Sequence, residues 1–292
     1  MSQTVRPRRS VLYMPGANTR ALEKARTLPA DALIFDLEDA VAPEAKEAAR
    51  TNVVLAAESR AYGKREIAIR CNGLGTPWGE ADIAAIAKSG ADAILVPKVE
   101  SAAQVTHVVS LLDTAGAPST MAVWAMMETP KGILRAEEIA GAHPRLGLFV
   151  MGTNDLVKDM RARHTPTRLP MITALGIGML AARAHGLTIL DGVYNDIQDT
   201  AGFRAVCQQG LEMGFDGKTL IHPSQVEPCN EVFAPSPADL EMAGKIVAAF
   251  KAAQAEGKGV VTVDGRMIEN LHVDQAERAL ALAAAIKEMQ AA

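Results

Sequence analysis

Two carboxylates set the chemistry this chain could do: Glu128, in Met126-Met127-Glu128-Thr129-Pro130, and Asp155, twenty-seven positions on in Val150-Met151-Gly152-Thr153-Asn154-Asp155. Each follows an apolar β-type run, Ala122-Val123-Trp124-Ala125 or Leu148-Phe149-Val150, and precedes helix-start residues. That places both acids at the C-terminal ends of successive parallel strands. Two acids on one rim suit a hard cation: Mg²⁺ is commonly held by one or two protein carboxylates, with water and substrate oxygens completing its octahedron. Each acid alone has a plainer meaning, Asp155 as the N-cap of the next helix and Glu128 as a solvated first-turn acid. The company they keep decides between the two.

Other strand ends carry similar groups. The second strand ends Phe35-Asp36-Leu37-Glu38-Asp39, the third Ile69-Arg70-Cys71-Asn72-Gly73, the fourth Val96-Pro97-Lys98. Period two sets Asp36 and Glu38 on one side of their strand with Leu37 opposite, and turns Cys71 away from Arg70 toward core packing. Asp36 and Glu38 could also be a helix-capping acid cluster. An arginine that ends an apolar strand needs an anion in a mostly buried place, and a guanidinium fork there fits a substrate carboxylate or a developing enolate oxygen. Lys98 could be a Schiff-base lysine, but beside a metal pair it reads as solvated or ion-paired. His222, before Pro223, reads as a hydrogen-bonded rim histidine.

The elements that position these groups alternate along the chain. Strands are expected over Ser10–Met14, Ala32–Leu37, Glu66–Arg70, Ala93–Val96, Ala122–Met127, Leu146–Met151, Thr188–Leu190 and Lys218–Ile221. Helices are expected near Asn18–Leu28, Glu44–Tyr62, Glu80–Lys88, Ala102–Asp113, Gly132–Ile139, Pro170–His185, Gln198–Met213 and Pro237–Glu256, with a basic loop at Lys158–Arg168. Eight such units with right-handed crossovers close a parallel (β/α)8 TIM barrel, whose functional residues sit where strands end. A doubly wound open sheet is the alternative, and Met14-Pro15-Gly16-Ala17-Asn18 lacks its G-x-G-x-x-G turn. The expected organisation is a barrel over 1–256 and a C-terminal extension over 257–292. The extension runs through Val260-Val261-Thr262-Val263 into Asp264-Gly265, then a helix from about Asn270 whose apolar face needs a surface to cover.

Composition narrows the class. A hydrophobic fraction of 49% with 22% charged residues argues for a packed α/β enzyme over a disordered chain, and a net charge of −4 gives no electrostatic reason to expect nucleic acid. Val11-Leu12-Tyr13 behind the basic Arg6-Pro7-Arg8-Arg9 is too short for a secretory core or a membrane span, so no membrane association and a cytoplasmic location are expected. The odd, widely spaced Cys71, Cys207 and Cys229 indicate neither a disulfide framework nor a zinc site. No G-x-S-x-G, H-E-x-x-H or P-loop is present.

Six segments together resemble the citrate lyase β-subunit-like (HpcH/HpaI aldolase) superfamily, most of all its malyl-CoA lyase-type CoA ester lyases. They are Arg9–Asn18, Phe35–Val41, Arg70–Gly73, Met127–Pro130, Gly152–Leu156 and Val263–Ile268, in the family's order and spacing over essentially the whole chain. The resemblance implies a TIM barrel binding Mg²⁺ through Glu128 and Asp155, with Arg70 as the substrate-carboxylate arginine. It also implies an acyl-CoA site at Tyr13, Asn18 and Lys24, with Arg20 a further basic candidate. Asp264 matches an aspartate that reaches a neighbouring subunit's active site, an extension the citrate lyase β-subunits proper tend to lack; an Asp-Gly turn is its plainer meaning. The implied reaction is Mg²⁺-dependent cleavage of a β-hydroxyacyl-CoA such as malyl-CoA to acetyl-CoA and glyoxylate, in a homotrimer or homohexamer. Arg70 would stabilise the oxyacid, Asp264 of the partner subunit would move the α-carbon proton, and Asp36 and Glu38 would orient Arg70 and metal-bound water. The alternatives are a malyl-CoA thioesterase on the same pocket, a CoA-free pyruvate aldolase, and a non-catalytic subunit of a lyase complex.

Overall fold

The computed structural model describes residues 5–291. It divides the chain into a unit spanning Arg8–Phe233 and a second unit that includes everything described from Ala234 onward. The first is a closed barrel of eight parallel strands in chain order: β1 (Ser10–Pro15), β2 (Ala32–Asp36), β3 (Glu66–Arg70), β4 (Ala93–Val96), β5 (Ala122–Met127), β6 (Leu146–Met151), β7 (Thr188–Asp191) and β8 (Gly217–Leu220), with β8 pairing back on β1. Around it run α1 (Thr19–Lys24), α2 (Lys46–Glu58), α3 (Gly79–Ile86), α4 (Ala102–Thr114), α5 (Pro130–Leu134), α6 (Ala136–Ala140), α7 (Thr153–Asp159), α8 (Ile172–Ala184), α9 (Thr200–Met213) and α10 (Val226–Phe233).

The strands read as unbroken apolar runs because both faces are covered. Alternate side chains divide between two cores: Ile34, Leu95, Trp124, Leu148 and Leu190 fill the barrel interior, while Leu33, Phe35, Ile69, Ile94 and Phe149 pack outward in the larger cluster. Trp124, fully buried, is the largest side chain inside.

Three elements differ from the sequence expectation. The helix expected over Gly132–Ile139 is broken at Arg135 into α5 and α6. The segment expected as a loop from Lys158 starts inside α7, which begins directly after β6. The eighth strand is followed by the short α10, and the long helix expected to close the eighth unit, α11 (Pro237–Ala255), belongs to the second unit. The division therefore falls after Phe233, earlier than the expected 256/257 boundary.

In that second unit α11 packs on α12 (Asn270–Gln290), and a hairpin of β9 (Val261–Val263) and β10 (Arg266–Ile268) adds Val263 and Ile268 to a small core with Phe250. Val263 pairs with Arg266, so Asp264-Gly265 is a two-residue turn, with φ +46° at Asp264 and +78° at Gly265. Both central residues of such a turn need positive φ, which is why Asp-Gly suits it. Among the described residues no helix is long and apolar enough to cross a membrane.

Because Trp124 fills the barrel interior at full burial, Trp124→Ala should lower unfolding free energy by about 3–5 kcal/mol, measured by urea denaturation. A loss below about 1 kcal/mol would mean the interior is not packed around this ring.

Candidate active site

Asp36 and Arg70 stand opposite each other at the ends of β2 and β3. Arg70 donates through Nε to Asp36 Oδ1 at 2.6 Å and through Nη2 to Oδ2 at 2.7 Å, and both side chains are nearly sealed from solvent. Burial alone would raise the Asp36 carboxyl; the guanidinium and two backbone N–H donors, from Glu38 and Ala40, outweigh it and hold the group below the usual carboxylate range. Those same donors turn the chain so that Glu38 comes back within 2.9 Å of Arg70 Nη1, with Asp39 at 3.3 Å. The Nε–Nη2 edge of the guanidinium is thus occupied by Asp36, and Nη1 meets Glu38 and Asp39 at the mouth. Its face lies over Tyr13, 5.0 Å from the ring centroid.

Glu38 in turn takes a 2.8 Å hydrogen bond from Lys98 Nζ. Its Oε2 is buried and makes no hydrogen bond despite the close Nη1, and burial, outweighing Arg70 and Lys98, moves its carboxyl up from the ordinary value. Lys98 is ion-paired, as expected from sequence, and also sits 3.9 Å from Asp155. Its backbone, at φ +51°, donates its N–H to Glu128 Oε1 at 2.8 Å.

Glu128 follows β5 directly and is 1% exposed, so it is not a solvated first-turn acid. Thr129 caps α5 instead, accepting from Gly132 N–H at 3.0 Å, with Pro130 next. Burial, then the charge of Glu38, pushes the Glu128 carboxyl up to about 8. Room for it comes from Gly152, where a Cβ would stand 2.3 Å from Glu128 Cβ and 2.6 Å from Oε2. Asp155 lies in the first turn of α7, partly exposed, and does not cap that helix; the N-cap is Gly152.

A cavity of about 310 Å³ collects Tyr13, Asp36, Arg70, Glu128, Gly152 and Asp155 in its lining. Asn18, Arg20 and Lys24 are not in it: Asn18 caps α1 by accepting from Ala21 N–H, and Arg20 and Lys24 are exposed on that helix. His222 accepts from Ser224 N–H and caps a short turn, and Cys71 is buried in the outer core with its thiol pushed up by burial.

The donor set fits Mg²⁺. The acids Asp36, Glu38, Asp39, Glu128 and Asp155 outnumber the cations Arg70, Lys98 and Lys158 at the mouth, so the site carries spare negative charge that a cation would neutralise. Among the described residues no group of three or more His, Cys, Asp or Glu is arranged to hold a metal, so the fit is to an ion that takes most of its oxygens from water and substrate.

Sequence reasoning passed over Gly152, Thr153 and Thr219, which also line the cavity, and Asp191, which ends β7. The strand-end rule would have found Asp191 had the seventh strand been carried one residue past Leu190.

Carboxylates and an arginine thus gather at the C-terminal mouth of a closed parallel barrel, the face on which such barrels carry their functional residues. Residues 9–223 match the HpcH/HpaI aldolase/citrate lyase family, and the chain belongs to it. Among its relatives, a (3S)-malyl-CoA thioesterase of Cereibacter sphaeroides (strain KD131) is 53% identical over 291 residues, covering all of both chains. The citrate lyase β-subunit of Escherichia coli K12 is 36% identical over 283 residues, 95% of this chain and 94% of its own. That coverage leaves too little unmatched for the whole C-terminal extension to be missing, so the extension does not by itself separate the two groups. Of solved structures, the Mycobacterium tuberculosis protein CitE in complex with magnesium, acetoacetate and coenzyme A superposes with a TM-score of 0.76 at 29% identity, over 94% of this chain and 97% of that one.

The Glu128 shift predicts a pH dependence. Its folded value, about 8, lies above the ordinary 4.5, so the folded chain holds this proton more tightly than the unfolded one. The stabilisation is complete below the ordinary value and is lost as pH rises through about 8. With Mg²⁺ chelated, the melting temperature should fall between about pH 5 and 8, and Glu128→Gln should flatten that fall. An equal slope in both proteins would remove Glu128 as its source.

Proposed function

We propose that this chain hydrolyses the thioester of (3S)-malyl-CoA to malate and free CoA, with Mg²⁺ held by Glu128 and Asp155. The observation that carries the reading is identity of 53–54% over 98–100% of the chain to proteins named (3S)-malyl-CoA thioesterase, on a chain whose mouth keeps a buried arginine and a buried carboxylate. Sequence alone ranked carbon–carbon cleavage of the same substrate first. The higher identity to the proteins named thioesterases, 53–54% against 36% for a citrate lyase β-subunit, favours hydrolysis.

Glu128 and Asp155 would hold Mg²⁺, which would supply Lewis-acid charge to the acid end of the substrate. Arg70 Nη1 donates to oxyacid or carbonyl oxygen as negative charge grows there, and Asp36 keeps the guanidinium plane fixed while it does. Glu38 and Lys98 hold the rim between Arg70 and Asp155. Asp264 of the partner subunit would take a proton from the water that attacks the thioester carbonyl and return it to the CoA thiolate as the C–S bond breaks. In this reading Tyr13 lines the acyl end, Asn18, Arg20 and Lys24 on and beside α1 serve the CoA end, and the working unit is a homotrimer or homohexamer.

Incubation of the purified protein with malyl-CoA and Mg²⁺, followed by mass spectrometry, separates the readings: malate plus free CoA supports hydrolysis, glyoxylate plus acetyl-CoA assigns the lyase reaction, and no turnover returns the scaffold role. Arg70→Lys, which loses the planar fork on Asp36, should cut the rate by roughly a hundredfold or more, and an unchanged rate would remove Arg70 from the reaction.

Sharing of the site has its own check. Inactive Asp264→Ala and Glu128→Gln proteins, mixed under conditions of subunit exchange verified by native mass spectrometry, should regain part of the activity. Exchange without recovery would leave Asp264 serving its own chain or nothing catalytic.

A further inference from the structure

A second cavity of about 380 Å³ adjoins the first, sharing Thr153 and Val193 as a common wall and lined further by His164, Arg168, Tyr194 and Asn195. Arg168 belongs to a buried ionic triad. Its Nη1 donates to both oxygens of Asp191 at 2.7 Å, and Lys218 Nζ reaches Asp191 Oδ2 at 3.0 Å, with Asp191 and Lys218 both sealed from solvent. Two cations thus share one carboxylate; Lys218 Nζ also donates to the Gly192 carbonyl, and among the described residues neither cation has another ion-pair partner. A buried positive charge without its own counterion is costly and invites an anion.

The hydrogen-bond inventory points to the same place. Arg168 Nε is satisfied by Gln209 at 2.6 Å, but Nη2 is enclosed and has no partner, on a residue only 5% exposed. Among the described residues, the buried side-chain atoms left without a hydrogen bond are Arg26 Nε, Glu38 Oε2, Thr153 Oγ1, Arg168 Nη2 and Asn230 Oδ1. Two of these five, Thr153 Oγ1 and Arg168 Nη2, belong to residues lining this cavity, and both can donate. A guanidinium N–H can only donate and repels a cation, and a hydroxyl can donate beside it, so the two residues suit an oxyanion.

We propose that this second chamber is an oxyanion site, taking a carboxylate or phosphate group on Arg168 Nη2 and Thr153 Oγ1. The group could come from a small organic acid or from a phosphorylated ligand, and the site stands whichever bond the neighbouring pocket breaks.

The test titrates acetate and inorganic phosphate separately into the full-length, Mg²⁺-saturated protein by calorimetry, comparing wild type, Arg168→Met and Glu128→Gln. Arg168→Met leaves Asp191 paired with Lys218, so no unpaired charge is buried. Saturable binding that weakens on the order of tenfold or more in Arg168→Met and persists in Glu128→Gln supports the site, the loss of a charged hydrogen bond being of that size. Acetate binding of this kind assigns a carboxylate ligand, and phosphate binding a phosphorylated one. Should Arg168→Met fail to fold by circular dichroism, Thr153→Val, which removes the other donor at constant shape, takes its place. Absence of saturable binding of either anion to wild type overturns the proposal, as does binding that survives loss of the donors or that disappears only in Glu128→Gln.

Discussion

The bidentate pair between Arg70 and Asp36 organises the whole mouth. A guanidinium this deeply buried must be paired, and breaking such a pair from one side costs about 3–5 kcal/mol. Pairing on the Nε–Nη2 edge fixes the plane of the cation, and the backbone donors that steady Asp36 bend the chain after β2 so that Glu38 meets Nη1. Glu38 then draws in Lys98, whose side chain approaches Asp155 and whose backbone N–H fixes one oxygen of Glu128. One chain of contacts therefore runs across the ends of β2, β3, β4 and β5 to the start of α7. Remove Asp36 and every later group loses its reference point.

The barrel was legible in the sequence because strands covered on both faces must be apolar throughout, and eight such runs can be counted without knowing any contact. All eight are present, most within a residue of the expected ends. Which residues end strands was equally legible, so Asp36, Arg70, Lys98 and Glu128 could be named in advance. What each end does with its hydrogen bonds was not. Period two places Asp36 and Glu38 on one side of β2, but it cannot tell that Asp36 takes the Nε–Nη2 edge of Arg70 while Glu38 and Asp39 meet Nη1. Nor does local pattern assign a helix to a unit: α11 has helical spacing whatever it packs on, and only the contacts show that it sits with α12 and the hairpin while α10 follows β8.

Under the function proposed above, hydrolysis and carbon–carbon cleavage would make the same demands of the pocket. Each would need a cation near the hydroxyacid end and a donor where negative charge gathers, the roles proposed for Glu128, Asp155 and Arg70 whichever bond is stretched. The two chemistries part at the proton: hydrolysis takes one from water, cleavage and its reverse exchange one at the acyl α-carbon. Whatever group moves that proton, and whether water stands beside it, chooses the reaction.

That shifts attention to how a proton-transfer carboxylate can be delivered. Asp264 sits at the tip of a two-residue turn, its φ in the left-handed region, its side chain about half exposed and steadied only by Lys245 at 3.6 Å. An acid in such a turn is aimed by the backbone and not by packing, because β9 and β10 set its direction and Val263 and Ile268 anchor the hairpin to its own small core. A group presented in this way keeps its solvation until it is covered from outside, and its backbone, fixed by the hairpin, has little entropy left to lose. Those are the properties required of a carboxylate supplied by one chain to the pocket of another. They also make the turn's geometry, more than the acid alone, the feature that selection for a shared site would have to preserve.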